Sequence, residues 1–499
     1  MNLTSDLVAL KERLEEIARG YGLDFFETFF ELVDYDEMNE IASYGGFPTR
    51  YPHWRFGMHY EELDKGYSYG LQKIYELVIN NDPCYAYLMG CNAPVDQKMV
   101  IAHVLGHSDF FKNNLWFSKT NRKMVDQMAN HGVRIRKHIE KVGLEEVEGF
   151  VDVCLSLENL VDAHSPFITR RSPSRTEEEV EDEARRIEVP RIRSKEYMER
   201  YINPPEYLEQ VKKKLLEEAR RRKRTFPENP ERDVLQFLLE HAPLEKWERD
   251  VLSIVRDEAY YFGPQAMTKI MNEGWATYWH SKILTERCLA DTELIDYADH
   301  HSATLGTQPG RVNPYKLGVE LFRDIEDRWN RGRFGREFDA CDDLETRRNW
   351  DRQLNQGRAK LFEVRKVMND LTFLDTFLTE EFCERHKLFV YQWNPRTNRH
   401  EIASRDFRQI KEGLLRSLTN LGHPAIAVLD ANHKNRGELY LTHSWDGQDL
   451  KYDEATETLK NLFRIWQRPV HLETKEEGRG KLISYDGDKI GSQEILPSA

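Results

Sequence analysis

VDQKMVIAHVLGHSDFFKNN, residues 95–114, places His103 and His107 four positions apart in an otherwise apolar run. On a helix that spacing projects both imidazoles from one face, where both can reach one ion. A second stretch, MNEGWATYWH (271–280), sets Glu273 and His280 seven apart among aromatic residues, again on one helical face. The two segments predict buried helices that carry polar groups toward a shared point. A histidine pair with a later helical glutamate is the ligand pattern of many zinc hydrolases. Those enzymes carry a glutamate directly after the first histidine as general base, and here that position is Val104. The expected centre is therefore one divalent metal, zinc fitting best, on His103, His107 and Glu273 with His280 as a fourth candidate, lacking the usual base.

Other stretches offer a substitute. In SLENLVDAHSPF, Glu158 and Asp162 are four apart on an expected helical face with His164 nearby, and Asp257 and Glu258 interrupt the apolar LSIVRDEAYYF. Glu158 or Glu258 is the expected replacement base, and Tyr278 the group that donates to a developing oxyanion. Blander readings stand beside these. Salt bridges to Arg134, Arg136 or Arg256 account for any one carboxylate, core histidines bonded to carboxylates account for the pair, and His280 also fits an aromatic cluster. His131 and His138, seven apart beside Gly132, suit an anionic ligand or a surface better than a metal. The chain has no phosphate-binding loop and no G-x-S-x-G elbow, which disfavours ATPase and serine-hydrolase chemistry.

Working outward, the pattern is mainly helical over residues 1–380. MNLTSDLVALKERLEEIARG is an amphipathic helix with Leu7, Leu10, Leu14 and Ile17 on one face, and the helical pattern is expected to continue through DFFETFFELVDYDEMNEIASYGG. YSYGLQKIYELVINNDPCYAYLMG predicts a β-hairpin turning at Asn80–Pro83. A small sheet just before a metal-binding helix is compatible with a zincin-like core. Residues 170–232 mix charges of both signs with few apolar anchors and read as an exposed, mobile insertion. From 381 to 499, strands alternate with helices and predict a small C-terminal α+β domain, giving an α+β chain.

With 499 residues, 32% of them charged, and a net charge of −14, the chain offers a duplex no electrostatic reason to bind. No apolar stretch approaches the roughly 20 residues of a membrane span, and the start carries no secretory signal. Six cysteines, scattered without a C-x-x-C pair, suit reduced thiols in the cytoplasm.

AHVLGHSDFFKNN, NEGWATYWH and YGGFPTRYPHWRF (44–56), with the two-part layout, resemble the SpoVR family, stage V sporulation protein R, over nearly the whole chain. The resemblance implies a bacterial or archaeal cytoplasmic protein of spore cortex formation or of a general stress response. It also implies protein partners, a PrkA-like serine kinase and a von Willebrand-type protein. It brings no reaction with it. Metal-assisted amide or peptide hydrolysis therefore stands against a rival reading, a non-enzymatic regulator or scaffold on a degenerate metallopeptidase-like fold.

Overall fold

The computed structural model describes residues 3–68, 76–169, 198, 201, 204–222 and 226–495. It divides into two compact units, Met1–Glu148 with Tyr260–Gly422, and Gly149–Ala259 with His423–Ala499.

The first unit opens with helix α1 (Ser5–Gly20), capped by the Thr4 hydroxyl, which accepts from Leu7 N–H. Leu14 and Ala18 are buried, and Leu7, Leu10 and Ile17 pack against the core, as the leucine spacing predicts. The expected continuation of helix through residue 33 is overturned. TFFELV forms strand β1 (Thr28–Val33) with Thr28, Phe30 and Val33 inward and Phe29 and Glu31 outward. Aromatic and branched side chains fit a pleat better than a helical stripe, and a neighbouring strand is present to take them. Helix returns at Tyr35–Ser43 behind an Asp34–Glu37 capping box.

The predicted hairpin is present as β2 (Glu76–Ile79) and β3 (Cys84–Met89), antiparallel from Glu76↔Leu88 to Ile79↔Tyr85. β1 joins the other side of β3 in parallel register, Thr28↔Cys84 to Val33↔Met89, giving the order β1-β3-β2.

The chain then enters helix α2 (Pro94–Asn113), buried without a break from Val100 to Phe111. Helix α3 (Lys269–Ile283) is buried in the same way from Ile270 to Ser281. A helix apolar on all sides belongs at the centre of a core, and these two are flanked by α4 (Leu294–Thr304), α5 (Pro314–Arg331) and α6 (Asp370–Phe377). Glycines set the closeness of approach. A Cβ on Gly106 would sit 2.7 Å from the Ala276 Cα, and Gly274 faces the Gly318 backbone just as tightly.

Buried polar groups fix the ends. The Asp370 carboxylate accepts from the N–H groups of Ile270 (2.7 Å) and Met271 (2.8 Å), two free donors of the first turn of α3. The Trp275 indole donates to Asp109 at 2.8 Å, and Arg365 lies 3.3 Å from the same carboxylate, tying α3 to α2. This unit ends in a two-stranded ladder, β4 (Val390–Asn394) with β5 (Arg399–Ser404), and a helix at Phe407–Leu418.

The second unit contains the strand-rich tail: β6 (Ile426–His433), β7 (Glu438–His443), β8 (Val470–Glu476), β9 (Arg479–Tyr485) and β10 (Ile490–Glu494), ordered β10-β9-β8-β7-β6. β7 and β8 are parallel, and the crossover between them is helix Tyr452–Trp466, packed on β8 and β9. Glu231 and Val428 exchange backbone hydrogen bonds at the free edge of β6. Of the charged stretch 170–232, helix Pro205–Arg222 is described; residues 170–197, 199–200, 202–203 and 223–225 lie outside the described residues, and with them most of the expected insertion.

Candidate metal centre

α2 and α3 cross at Gly106 and Ala276, and the closeness of that crossing brings their polar side chains together. His103 and His107 sit one turn apart on α2, their rings perpendicular with centroids 4.5 Å apart. Glu273 reaches across from α3: its Oε2 lies 3.4 Å from His103 Nε2 and 3.5 Å from His107 Nε2. Ligands about 2.0–2.1 Å from a tetrahedral ion stand about 3.3–3.4 Å from one another, so these separations are those of ligands around a shared centre. All three ligand atoms lie within 4.8 Å of one another, and each residue is at most 6% exposed.

The other ends of these side chains are held. His107 Nδ1 meets the Asn272 side-chain oxygen at 2.9 Å and donates to it, so the neutral ring presents its lone pair at Nε2. Lys269 donates to Glu273 Oε1 at 2.7 Å, while the buried Oε2 has no hydrogen-bond partner. A buried carboxylate oxygen between two imidazoles needs positive charge beside it, from a metal ion or from a protonated His107.

The electrostatics prepare two of the three groups for ligation. Burial, with the neighbouring His107, lowers His103 to about 4, so it is neutral at ordinary pH. Burial alone would lower His107 and raise Glu273, but their proximity reverses both: His107 is raised, and Glu273 is held well below the usual carboxylate range by the two histidines and Lys269. His103 and Glu273 therefore need no proton removed before they bind a metal, whereas His107, held toward its protonated form by Glu273, gives up its Nε2 proton on binding.

The remaining residues singled out by sequence fall elsewhere. His280 shares the Glu273 face of α3, yet it stands behind His103: the two Nδ1 atoms are 2.9 Å apart, and His280 Nε2 is 3.2 Å from His301 Nδ1 on α4. Tyr278, five residues past Glu273 and so about 140° around the helix, donates to Glu326 Oε2 at 2.7 Å and accepts from Lys282 at 3.0 Å. Glu158 and Glu258 belong to the second unit, outside the one that builds this centre.

Glu258 is buried on helix Lys246–Met267. The helical face expected for Glu158 and Asp162 is not formed, because the helix ends at Ser156 and tight turns follow at Leu157 and Leu160. Asp162 instead accepts from the His164 N–H two residues on, a local bond that competes with helix. His131 is buried on helix Met124–Val142, 2.9 Å from Gln127 Nε2.

Two groups beside the centre were not anticipated. Burial pushes the Glu76 carboxyl on β2 up to about 7, with His107, Glu273 and Asp96 as the charges it feels. Tyr315, in the first turn of α5, stacks on His103 with centroids 6.1 Å apart. Burial and the charges of Glu273 and Glu76 raise its hydroxyl. Neither belongs to a recognisable spacing with the histidines; Glu76 arrives through strand pairing and Tyr315 through the α3–α5 contact.

The family model described as SpoVR like protein matches residues 2–423, and that of the SpoVR-like C-terminal domain matches 424–477. The chain belongs to the SpoVR family. A relative from Escherichia coli (strain K12), named uncharacterized protein YcgB, is 29% identical over 517 residues, covering 96% of this chain and 94% of its own. No solved structure matches. Among the described residues no helix is long and apolar enough to cross a membrane.

Proposed function

We propose that the protein binds one divalent metal, zinc fitting best, at His103, His107 and Glu273, and uses it to hydrolyse an amide or peptide-like bond. The observation that carries this is the meeting of two imidazole Nε2 atoms with a carboxylate oxygen that has no hydrogen-bond partner, at ligand spacing. Two histidines and a carboxylate hold zinc while leaving a position for water or substrate. The metal's part is that of a Lewis acid toward the scissile carbonyl and toward water.

The chain's own groups do the rest. Glu76, near 7, takes a proton from the attacking water as its oxygen bonds to the carbonyl carbon, then returns it to the leaving nitrogen as the C–N bond breaks. It thereby fills the role for which the sequence offered Glu158 and Glu258. The Tyr315 hydroxyl, which in the resting site is bonded to the Glu273 carboxylate, turns to donate to the carbonyl oxygen as charge develops, the part for which the sequence offered Tyr278.

The rival reading, a regulator or scaffold, draws on the near-complete burial of all three ligands, which suits a structural metal as well. The family resemblance supports a cytoplasmic setting, a role in sporulation or general stress, and a PrkA-like kinase and a von Willebrand-type protein as partners. Metal analysis of the purified chain, followed by turnover of a quenched fluorescent peptide library, tests the proposal. One metal per chain, lost in His103→Ala, with Glu76→Gln keeping the metal and losing turnover, is the expected result. Metal without turnover in the wild type would leave the scaffold reading in possession. No metal in the wild type would overturn both the centre and the reaction.

A further inference from the structure

His280 is buried at 3% exposure and points its two ring nitrogens at two other histidines. Among the described contacts it makes no approach to the Glu273 carboxylate. A metal on His103 Nε2 uses that nitrogen's lone pair, so the His103 proton must sit on Nδ1. Nδ1 faces His280 Nδ1 at 2.9 Å, which must then accept, putting the His280 proton on Nε2. That Nε2 in turn faces His301 Nδ1 at 3.2 Å, so His301 accepts and carries its own proton outward. The ring of His301 lies against Tyr297, centroids 5.4 Å apart and nearly parallel, which fixes its orientation on α4.

From this geometry we infer that His280 and His301 are positioning residues of the metal centre: a chain of imidazoles running from the buried ligand to a largely exposed helix, whose single allowed tautomer is the one that presents His103 Nε2 to the ion. The inference rests on the metal reading above and adds to it a control of affinity from a residue that touches no ligand. The two histidine ligands are thus supported unequally. His107 leans on one side-chain amide, Asn272, on the same helix as Glu273. His103 leans on two further histidines, the second of them on a separate element, so the affinity of the site is tied to the seating of α4. Outer partners of this type change metal affinity by roughly 10–100-fold when removed.

Zinc affinity, measured by competition with a chromophoric chelator, tests the inference with the full chain. His280→Leu fills much of the ring's space without an acceptor and should weaken zinc 10–100-fold at unchanged stoichiometry. His280→Gln, whose amide oxygen can accept from His103 Nδ1–H, should recover most of that loss. His301→Leu, at a more tolerant site, should weaken zinc several-fold, and it carries the test if the His280 variants do not fold. Nitrogen chemical shifts of 15N-histidine-labelled protein should show His280 and His301 protonated on Nε2 with zinc bound.

Equal affinities for Leu and Gln at 280, or a zinc-bound His280 protonated on Nδ1, would overturn the chain while leaving the metal centre standing. A wild-type protein that binds no zinc would overturn both.

Discussion

Glu76 is the residue on which chemistry and stability pull in opposite directions. Its carboxyl is raised to about 7 by burial, so the folded protein holds that proton more tightly than the unfolded chain does. A raised carboxyl contributes stability that is complete below its unfolded value near 4.5 and is lost as pH climbs through 7. In metal-free protein, Glu76→Gln should therefore match the wild type near pH 4.5 and exceed it at pH 8. At about 1.4 kcal/mol per pKa unit the excess is on the order of 3 kcal/mol. Urea unfolding at the two pH values measures it, and an equal difference at both would remove Glu76 from the ionising groups of the core.

At the scale of elements, the crossing of α2 and α3 decides whether the centre exists. Gly106→Ala improves helix propensity by about 1 kcal/mol, but its Cβ would meet the Ala276 backbone at 2.7 Å, and overpacking of this type costs about 1–3 kcal/mol. The helices must part, carrying Glu273 away from both imidazoles. The variant should lose thermal stability and bind zinc at least tenfold more weakly; calorimetry and chelator competition read the two effects separately. Unchanged zinc affinity would mean that the crossing does not set the ligand spacing.

This crossing was also the part most legible in sequence. Four- and seven-residue spacings survive into any helix, so the shared face of His103 with His107, and of Glu273 with His280, could be read directly. What periodicity could not give was the third dimension. TFFELV has too few residues for its period to be told from helix until β3 supplies a partner. Glu76 and Tyr315 come to the centre through strand pairing and helix packing that no spacing encodes, and His280 sits on the right face but one imidazole behind the ligands.

Across the whole molecule, the first unit gathers every group of the candidate centre: His103 and His107 from α2, Glu273 from α3, Tyr315 from α5 and Glu76 from β2, with His301 of α4 behind His280. The second unit is built on its own five-stranded sheet, and the change from one family model to the next, at 423 and 424, falls where the chain passes into that sheet. A metal on the proposed ligands, residues 103–107 and 273, would join elements that the unfolded chain leaves far apart, and its binding energy would add directly to the stability of this unit.

X-ray absorption at the zinc edge on the zinc-loaded protein examines that centre directly. Two imidazole nitrogens and a carboxylate oxygen at about 2.0–2.2 Å, with the imidazole signal halved in His107→Ala, is the predicted result. A shell of oxygens alone, or a spectrum indifferent to His103, His107 and Glu273, would contradict it.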